Sequence, residues 1–430
     1  MKKLLLSAVI ICNTLPVWAS VDFDRHFSDS TLRIDYIFSG NNISPSVSVD
    51  KLEYQPGWAG RRHKLDYVPL EGNLQVVVKD SSSGDTIYIN SYSSLFQEWL
   101  HTPEAELNPV SMENTFLVPA PKHEVDITVT LFDNRRQPMT STTHHVNPGD
   151  ILIRRPDTTH PVDHKYLHKS GSPADKIDVA ILAEGYTTEE MDSFYVHAEK
   201  AVASILSHEP FKSRADEFNF VAVASPSKES GVSVPKNGQW KDTAFSSHYS
   251  TFYSDRYLTT TSVKSIHDAL RGIPYEHIII LANEYEYGGG GIYNFYTLTT
   301  ARNPQFWPVV THEFGHSFGG LADEYFYAGG DALDETYPLD VEPWEPNITT
   351  LTDFKSKWED MVPGVNIPTP TEGTPKGALG VFEGGGYRTH GVYRPVDTTC
   401  RMRFNDAAGF CPVCQRAISR LIDFYVNTTD

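Results

Sequence analysis

The sequence predicts an α/β domain, built on a twisted mixed sheet with an active-site helix, preceded by an all-β sandwich domain. Three observations support this fold class. Apolar and polar residues alternate in the first third of the chain, apolar strand-like segments alternate with helical ones in the remainder, and one helical segment contains His-Glu-Phe-Gly-His at residues 312–316. With 430 residues, 40% of them hydrophobic, the chain can form two domains.

Residues 1–19 have the pattern of a signal peptide. Two lysines follow the first methionine, an apolar run extends from Leu4 to Cys12, and the small residue Ala19 marks the expected cleavage position. We therefore expect export, with the mature protein secreted, periplasmic or at the cell surface. No later segment contains about 18 continuous apolar residues, so the sequence predicts no transmembrane segment.

The formal net charge of −19 limits the classes of partner. An acidic chain repels phosphate backbones and anionic lipid headgroups, so nucleic acid and membrane surfaces are not expected partners. A protein or peptide substrate is compatible with this charge, and the sequence leaves the oligomeric state open.

The first domain is predicted to span residues 20–148 as a β-sandwich. Its strand segments alternate in polarity with a period of two residues, and the polar segment 81–85 between two of them is typical of a hairpin turn. No catalytic cluster is visible, so we interpret it as an accessory domain whose role the sequence leaves open. The polar segment 149–174, which is rich in turn residues, is predicted to be a linker. The clearest strands are residues 32–36, 74–78 and 125–129.

The second domain is predicted over residues 175–430. Thr187 and Glu190 have the spacing of a capping box, which marks the start of a helix that extends to about residue 207. Apolar strand segments lie on both sides of this helix, a pattern typical of α/β sheet domains. The predicted strands are residues 177–182, 218–224 and 278–281.

His312 and His316 are candidate zinc ligands. Because they are four residues apart on a helix, their side chains lie on the same face and can bind one ion, while Glu313 can act as general base towards water at that ion. A separate apolar stripe with spacing i, i+4, i+8 on the same segment predicts that the opposite side of the helix is buried. We therefore predict one catalytic Zn²⁺.

Three protein ligands and one open position are typical of catalytic zinc, so a third ligand is expected. Gly319 and Gly320 end the helix and allow the chain to turn back towards the ion. Asp323 is predicted to be the third ligand, with Glu324 as the alternative. Either carboxylate could instead hold an imidazole without contacting the metal.

The segment 311–325 resembles the signature of the bacterial IgA peptidases, a family of zinc metallopeptidases in the metzincin group. The segment 400–403, Cys-Arg-Met-Arg, resembles the Met-turn of metzincins. The resemblance implies a metzincin-like fold for the second domain, with Met402 beneath the zinc ion. One departure is that the general motif has its third ligand where this chain has Ala322, one residue before Asp323.

Two further features bear on substrate binding. Tyr393 and Tyr387 are candidates for contacting the substrate or stabilising an oxyanion. The glycine-rich segment 288–291 follows a predicted strand, and the resemblance to metzincins implies that it forms the edge strand above the cleft. An open edge strand can pair with an extended peptide.

Cys400, Cys411 and Cys414 remain after removal of the signal peptide. In an exported chain, three cysteines predict one disulfide, of Cys400 with Cys411 or Cys414, and one free thiol. Such a disulfide would join the Met-turn to the last helix. A second metal site formed by these thiols is the alternative interpretation.

Together these features predict a secreted zinc-dependent endopeptidase that hydrolyses peptide bonds of a protein or glycoprotein, with cleavage of IgA implied by the resemblance only. Two alternatives remain open: a secreted binding or adhesion protein with a structural zinc site, and a zinc hydrolase acting on peptidoglycan. Glu313 favours an enzyme because a structural zinc site needs no general base.

Overall fold

The computed structural model describes residues 21–327, 329–330 and 336–426. The predicted signal peptide at residues 1–19 lies outside the described residues. The first region contains two short helices, α1 (Phe23–His26) and α2 (Leu95–Leu100). Its strands are β1 (Phe27–Gly40), β2 (Ser46–Pro56), β3 (Leu74–Asp80), β4 (Thr86–Tyr92), β5 (Val110–Pro121), β6 (Val125–Phe132) and β7 (Pro138–Val146).

The strands of the first region form two antiparallel sheets with the orders β2-β1-β5 and β4-β3-β6-β7. Buried side chains from both sheets form one hydrophobic core, which is the arrangement of a β-sandwich. Along β6, buried residues alternate regularly with partly exposed ones, so the predicted period of two is confirmed there. The predicted hairpin turn at residues 81–85 joins β3 to β4.

The second region contains both helices and strands. Its helices are α3 (Met191–Ile205), α4 (Val263–Ala269), α5 (Phe306–Ser317) and α6 (Pro412–Val426). Its strands are β8 (His164–Lys169), β9 (Ile177–Glu184), β10 (Phe218–Val223), β11 (His277–Ala282), β12 (Gly289–Ile292), β13 (Tyr296–Thr300), β14 (Phe382–Gly385) and β15 (Arg388–Arg394).

Six of these strands form one sheet with the order β12-β13-β11-β9-β10-β8. The four central strands are parallel, and the two edge strands, β12 and β8, are antiparallel to their neighbours. All eight residues of β9 are buried, because separate apolar clusters cover the two faces of the sheet. The continuous apolar runs that predicted β9, β10 and β11 reflect this double coverage.

Strand β8 lies within the segment predicted to be a linker. It pairs with β10 and forms one edge of the six-stranded sheet. Its sequence, His-Lys-Tyr-Leu-His-Lys, is polar because most of its side chains are partly or fully exposed at this edge. Hydrophobic periodicity therefore does not reveal it.

Helix α5 contains the His-Glu-Phe-Gly-His segment and packs against α3, β12 and β13. Val310, Phe314 and Phe318 are almost completely buried in the core beneath it, so the predicted apolar stripe is confirmed. The hydroxyl groups of Thr311 and Ser204 of α3 lie 2.8 Å apart and form a hydrogen bond. These contacts fix both the position and the rotation of α5.

Buried ion pairs join the two regions. Arg33 of β1, which has no exposed side-chain surface, donates to Asp35 at 2.8 Å and to Asp268 of α4 at 2.6 Å. Arg271 donates to both carboxylate oxygens of Glu53 of β2, each at 2.9 Å. Over the described ranges, no helix is both long and apolar enough to cross a bilayer.

Candidate metal centre and active-site cleft

The side chains of His312 and His316 converge at one point above α5. Their rings are 4.8 Å apart, and their Nε2 atoms are separated by 3.1 Å. This convergence follows from the spacing of four residues, which is slightly more than one helical turn. Both side chains are about one-seventh exposed, so they lie at the floor of a cleft and not on the outer surface.

The opposite ring nitrogen of each histidine is bound to the backbone. Nδ1 of His312 lies 2.9 Å from the carbonyl oxygen of Arg401, and Nδ1 of His316 lies 2.5 Å from that of Leu321. A carbonyl oxygen only accepts hydrogen bonds, so both Nδ1 atoms carry the proton. The lone pairs of a neutral imidazole are then on the two converging Nε2 atoms, as metal ligation requires.

Asp323 supplies the third converging atom. Its Oδ1 lies 3.1 Å from His312 Nε2 and 3.3 Å from His316 Nε2. In a tetrahedral zinc site with bonds of about 2.0–2.1 Å, neighbouring ligand atoms are about 3.3–3.4 Å apart. The side chain is buried, and within the described ranges its Oδ1 has no hydrogen-bond partner. The three atoms therefore fit a zinc ion with one open position.

The chain reaches Asp323 through the glycine turn that the sequence predicted. Gly320 has a φ of +58°, and its N–H donates to the carbonyl of His316. The segment then runs extended, so successive side chains point in opposite directions. Asp323 and Tyr325 line the cleft, whereas Glu324 between them points away from it and lies beside Cys414. The structure thus brings Asp323, and not Glu324, to the histidines.

Glu313 lies in the same cleft and is 8% exposed. Burial raises the pKa of its carboxyl group, while the two neighbouring imidazoles act in the opposite direction. Arg256 also lines the cleft and acts on Glu313 in the same direction as the imidazoles. A carboxylate in this position is suited to accept and release a proton at the floor of the cleft.

The sequence suggested Tyr387 and Tyr393 as residues that contact the substrate or an oxyanion. Of these two, only Tyr387 lies at the candidate metal centre. The hydroxyl of Tyr387 donates to Asp323 Oδ2 at 2.7 Å, so it holds the carboxylate whose other oxygen faces the histidines. Tyr393 lies on β15 and packs against the hydrophobic core; among the described residues it does not line the cleft.

Met402 lies beneath α5, as the resemblance implies. It is completely buried, and its sulfur is next to Gly315, between the two histidines; a β-carbon at Gly315 would be 2.8 Å from it. The backbone carbonyl of Met402 also accepts from the N–H of Glu324 at 2.9 Å. Met402 therefore supports both the helix and the segment that carries Asp323.

The cleft has a volume of about 780 Å³, and both regions form its walls. The first region contributes polar side chains from α2 and neighbouring loops, which the sequence did not connect with the site: Asn73, Ser93, Ser94, Gln97, Glu98, His101 and Asn134. The second region contributes a set of tyrosines that sequence reasoning also missed, since they are distant along the chain: Tyr257, Tyr287, Tyr293, Tyr325, Tyr327 and Tyr337.

Strand β12 forms one wall of the cleft. Among the described residues it pairs only with β13, and residues 289–292 line the cleft. Gly291 faces α5 so closely that a β-carbon there would be 2.1 Å from the carbonyl oxygen of Glu313 and 2.8 Å from the β-carbon of His316. Glycine at this position allows the strand to lie directly against the helix that carries the histidines.

The predicted disulfide is not formed. Cys400, Cys411 and Cys414 are buried and carry free thiols. Their sulfur atoms lie 3.5 Å apart for Cys411 and Cys414, and 3.7 Å apart for Cys400 and Cys414, whereas a disulfide bond is about 2.05 Å long. The three thiols instead surround a common point, together with Glu324.

Two family models match the chain. One, described as IgA Peptidase M64, matches residues 166–376 and 371–422, and one described as Peptidase M64 N-terminus matches residues 22–142. No curated protein matches it. The first match contains all the residues that converge at the candidate metal centre.

Proposed function

Because the chain belongs to the IgA peptidase M64 family and is thus a metallopeptidase, we propose that it is an exported, zinc-dependent endopeptidase that cleaves a protein or glycoprotein. The convergence of His312 Nε2, His316 Nε2 and Asp323 Oδ1 within 3.3 Å of one another is the observation that carries this proposal. Two imidazoles and one carboxylate form a donor set typical of catalytic zinc.

Zinc at this position would lower the pKa of a bound water towards about 7 and polarise the carbonyl of the scissile peptide bond. Residues of the chain would carry out the proton transfers and orient the ligands. Glu313 accepts the proton of the attacking water and transfers it to the leaving amine. Its position in the cleft, beside the two imidazoles, supports this role. Tyr387 keeps Asp323 oriented through the 2.7 Å hydrogen bond.

The substrate would bind in extended form along β12. The N–H and C=O groups on the open side of this strand can form a ladder with a peptide that passes through the cleft. A cleft of about 780 Å³ that contains the strand edge has room for several residues of a peptide, which supports cleavage within a polypeptide. The tyrosines give the cleft apolar surface with polar hydroxyl groups, a combination suited to side chains of mixed character.

We also propose that the second region has a metzincin-like fold. Support comes from the mixed sheet with an antiparallel edge strand beside the cleft, from the helix that carries both histidines, and from Met402 beneath it. The third ligand one residue later than in the general motif is compatible with this fold, because the turn at Gly320 lets the extended segment present Asp323.

The first region, proposed as an accessory domain over residues 20–148, would contribute to substrate binding. Its helix α2 and adjoining loops form part of the cleft wall, and the hydroxyl of Tyr257 donates to Glu98 across the boundary between the regions. We propose residues 175–430 as the catalytic domain. Export through the signal peptide at residues 1–19 is part of the same proposal.

The test is cleavage of intact proteins, IgA among them, by the purified enzyme and by Glu313→Gln. We expect new internal termini with the wild type, detected by mass spectrometry. The variant should be at least about 10²–10⁴-fold slower, because general-base catalysis contributes that much, and should keep its zinc. Glu372→Gln, at an exposed position outside the cleft, is the matched control and should be fully active.

Two outcomes would contradict the proposal. Undiminished cleavage by Glu313→Gln would show that Glu313 is not the base. Zinc bound by the wild type without cleavage of any polypeptide would favour a binding protein. Removal of zinc with a chelator and its restoration should abolish and then recover cleavage.

A further inference from the structure

A second cluster of metal-ligand side chains lies behind the catalytic cleft. It consists of Glu324, Cys400, Cys411 and Cys414, which come from three separate segments of the chain. One potential ligand atom of each residue lies within 4.8 Å of the others, and each of the four residues is at most 3% exposed. Nothing in the proposed hydrolysis uses these groups.

The distances in the cluster fit a tetrahedral zinc site. With Zn–S bonds of about 2.3 Å and a Zn–O bond of about 2.0 Å, tetrahedral geometry requires S···S separations of about 3.8 Å and S···O separations of about 3.5 Å. Two of the three S···S distances are 3.5 Å and 3.7 Å, and the third is at most 4.8 Å. Glu324 Oε1 lies 3.1 Å from the sulfur of Cys414 and 3.9 Å from that of Cys411, on either side of the required value.

The cluster also contains a carboxylate oxygen without a hydrogen bond within the described part of the chain. Glu324 is completely buried, and its Oε2 has no hydrogen-bond partner among the described residues. Burial of a carboxylate oxygen without a hydrogen bond is unfavourable, and a cation among the four side chains would remove that penalty. The side-chain amide of Asn347 donates to Oε1 at 3.1 Å and thereby orients the carboxylate towards the sulfurs.

The sequence spacing supports the same interpretation. Cys411 and Cys414 form a Cys-x-x-Cys pair at the start of α6, the spacing at which two thiolates commonly bind one zinc ion. Three free thiols are unusual in an exported chain, where oxidising conditions favour disulfides. Coordination of zinc would keep all three reduced.

We propose that Glu324, Cys400, Cys411 and Cys414 bind a second, structural Zn²⁺. Four protein ligands leave no open position, which distinguishes this site from the catalytic one. Zinc is the ion of choice because three thiolates and one carboxylate in tetrahedral arrangement match its ligand and geometric preferences.

The second ion would hold the catalytic segment in place. Glu324 adjoins Asp323, and its N–H donates to Met402 two residues from Cys400. The ion therefore links the segment bearing the third catalytic ligand to the Met402 loop and to α6. Asp323 would be positioned by a zinc ion on the other side of the same extended segment.

Metal analysis of the purified full chain tests the proposal without reference to activity. We expect about two zinc ions per chain for the wild type and about one for His312→Ala and for Cys414→Ser, each of which removes one ligand from a different site. The two variants are matched controls for each other. The proposal does not require that the enzyme be a peptidase.

Cobalt substitution identifies the ligands. The Co²⁺ protein should show intense near-ultraviolet thiolate-to-metal charge transfer, which should persist in His312→Ala and be absent from Cys414→Ser. A wild-type protein whose single zinc ion is lost in His312→Ala, a charge-transfer band that depends on His312, or a disulfide detected by mass spectrometry of the native protein would each overturn the proposal. If Cys414→Ser does not fold, the wild type and His312→Ala still decide the question.

Discussion

Neighbouring residues with the same chemistry have different roles in this protein. Asp323 and Glu324 are adjacent carboxylates, but the extended backbone directs the first to the two histidines and the second to the three cysteines. The sequence placed both after the glycine turn and favoured Asp323 as the ligand, with Glu324 as the alternative. The choice depends on which side of a segment faces the cleft, and that is set by contacts with Met402 and Asn347, which are distant along the chain.

At the same scale, Tyr387 is predicted to tune the affinity for the catalytic metal. Tyr387→Phe removes the hydrogen bond to Asp323 Oδ2 and leaves the carboxylate free to rotate. Loss of such a supporting hydrogen bond typically lowers metal affinity by about 10–100-fold. Competition with a zinc chelator measures the change, and Tyr393→Phe, outside the cleft, is the control. Equal affinities for the wild type and Tyr387→Phe would refute the role.

Helix α5 and strand β12 together line the candidate active site. The helix was predictable from local spacing, because its apolar stripe and its two histidines lie on different faces. The strand was predictable only from the resemblance to metzincins, because four glycines in succession have no hydrophobic pattern. The contact between them is tertiary: Gly291 lies against the carbonyl of Glu313 with no space for a side chain.

This contact leads to a prediction for Gly291→Ala. A β-carbon 2.1 Å from a backbone oxygen cannot be accommodated, so the strand or the helix must move. We expect a loss of stability of about 1–3 kcal/mol, typical of overpacking, measured by thermal unfolding. Cleavage should slow by about 100-fold, because displacement of a catalytic group by about 1 Å has effects of that size.

Gly385→Ala is the matched control for this variant. Gly385 also lies in a strand, but a β-carbon there meets its nearest neighbours at 3.6 Å, which is ordinary van der Waals contact. Stability and cleavage should both stay close to those of the wild type. Equal effects of the two substitutions would show that loss of glycine from a strand, and not the collision with α5, is responsible.

On the scale of the whole molecule, the active site depends on the contact between the two regions. Polar residues of the first region form part of the cleft wall, so this region is more than a neighbour of the catalytic domain. The interface is held by Arg33, whose guanidinium group bridges Asp35 of its own strand and Asp268 of α4. Both Arg33 and Asp35 are fully buried.

Arg33→Ala is therefore predicted to be strongly destabilising. Removal of Arg33 takes away the closer of two cations beside the buried Asp35 and leaves Lys51, at 3.2 Å, as the other; breaking a buried ion pair typically costs about 3–5 kcal/mol. Denaturant unfolding measures this cost. The double variant Arg33→Met/Asp35→Leu should be less destabilised than Arg33→Ala, because it removes the fully buried carboxylate together with its closest cation. A smaller loss in the single variant would contradict this account of the interface.

Acid should weaken the same contact. Burial by itself raises the pKa of Asp35, but the hydrogen bond and charge of Arg33 outweigh it and hold this pKa below its usual value. The pair thus contributes its full stability above the pKa of an unfolded aspartate, about 3.9, and loses it as the pH falls through the lower folded value. Denaturation measured from pH 6 down to pH 3 should show a loss that is smaller in the double variant.

The sequence by itself determined the features that depend on local periodicity and spacing. These are the strands β1, β3, β6, β9, β10 and β11, the helix with His312, Glu313 and His316, and the glycine turn that follows it. Tertiary structure decided which of two adjacent carboxylates approaches the histidines, that three cysteines surround Glu324 instead of forming a disulfide, and that the first region forms a wall of the cleft. Each of these depends on contacts between segments far apart in the chain, and no local pattern specifies how such segments pack against one another.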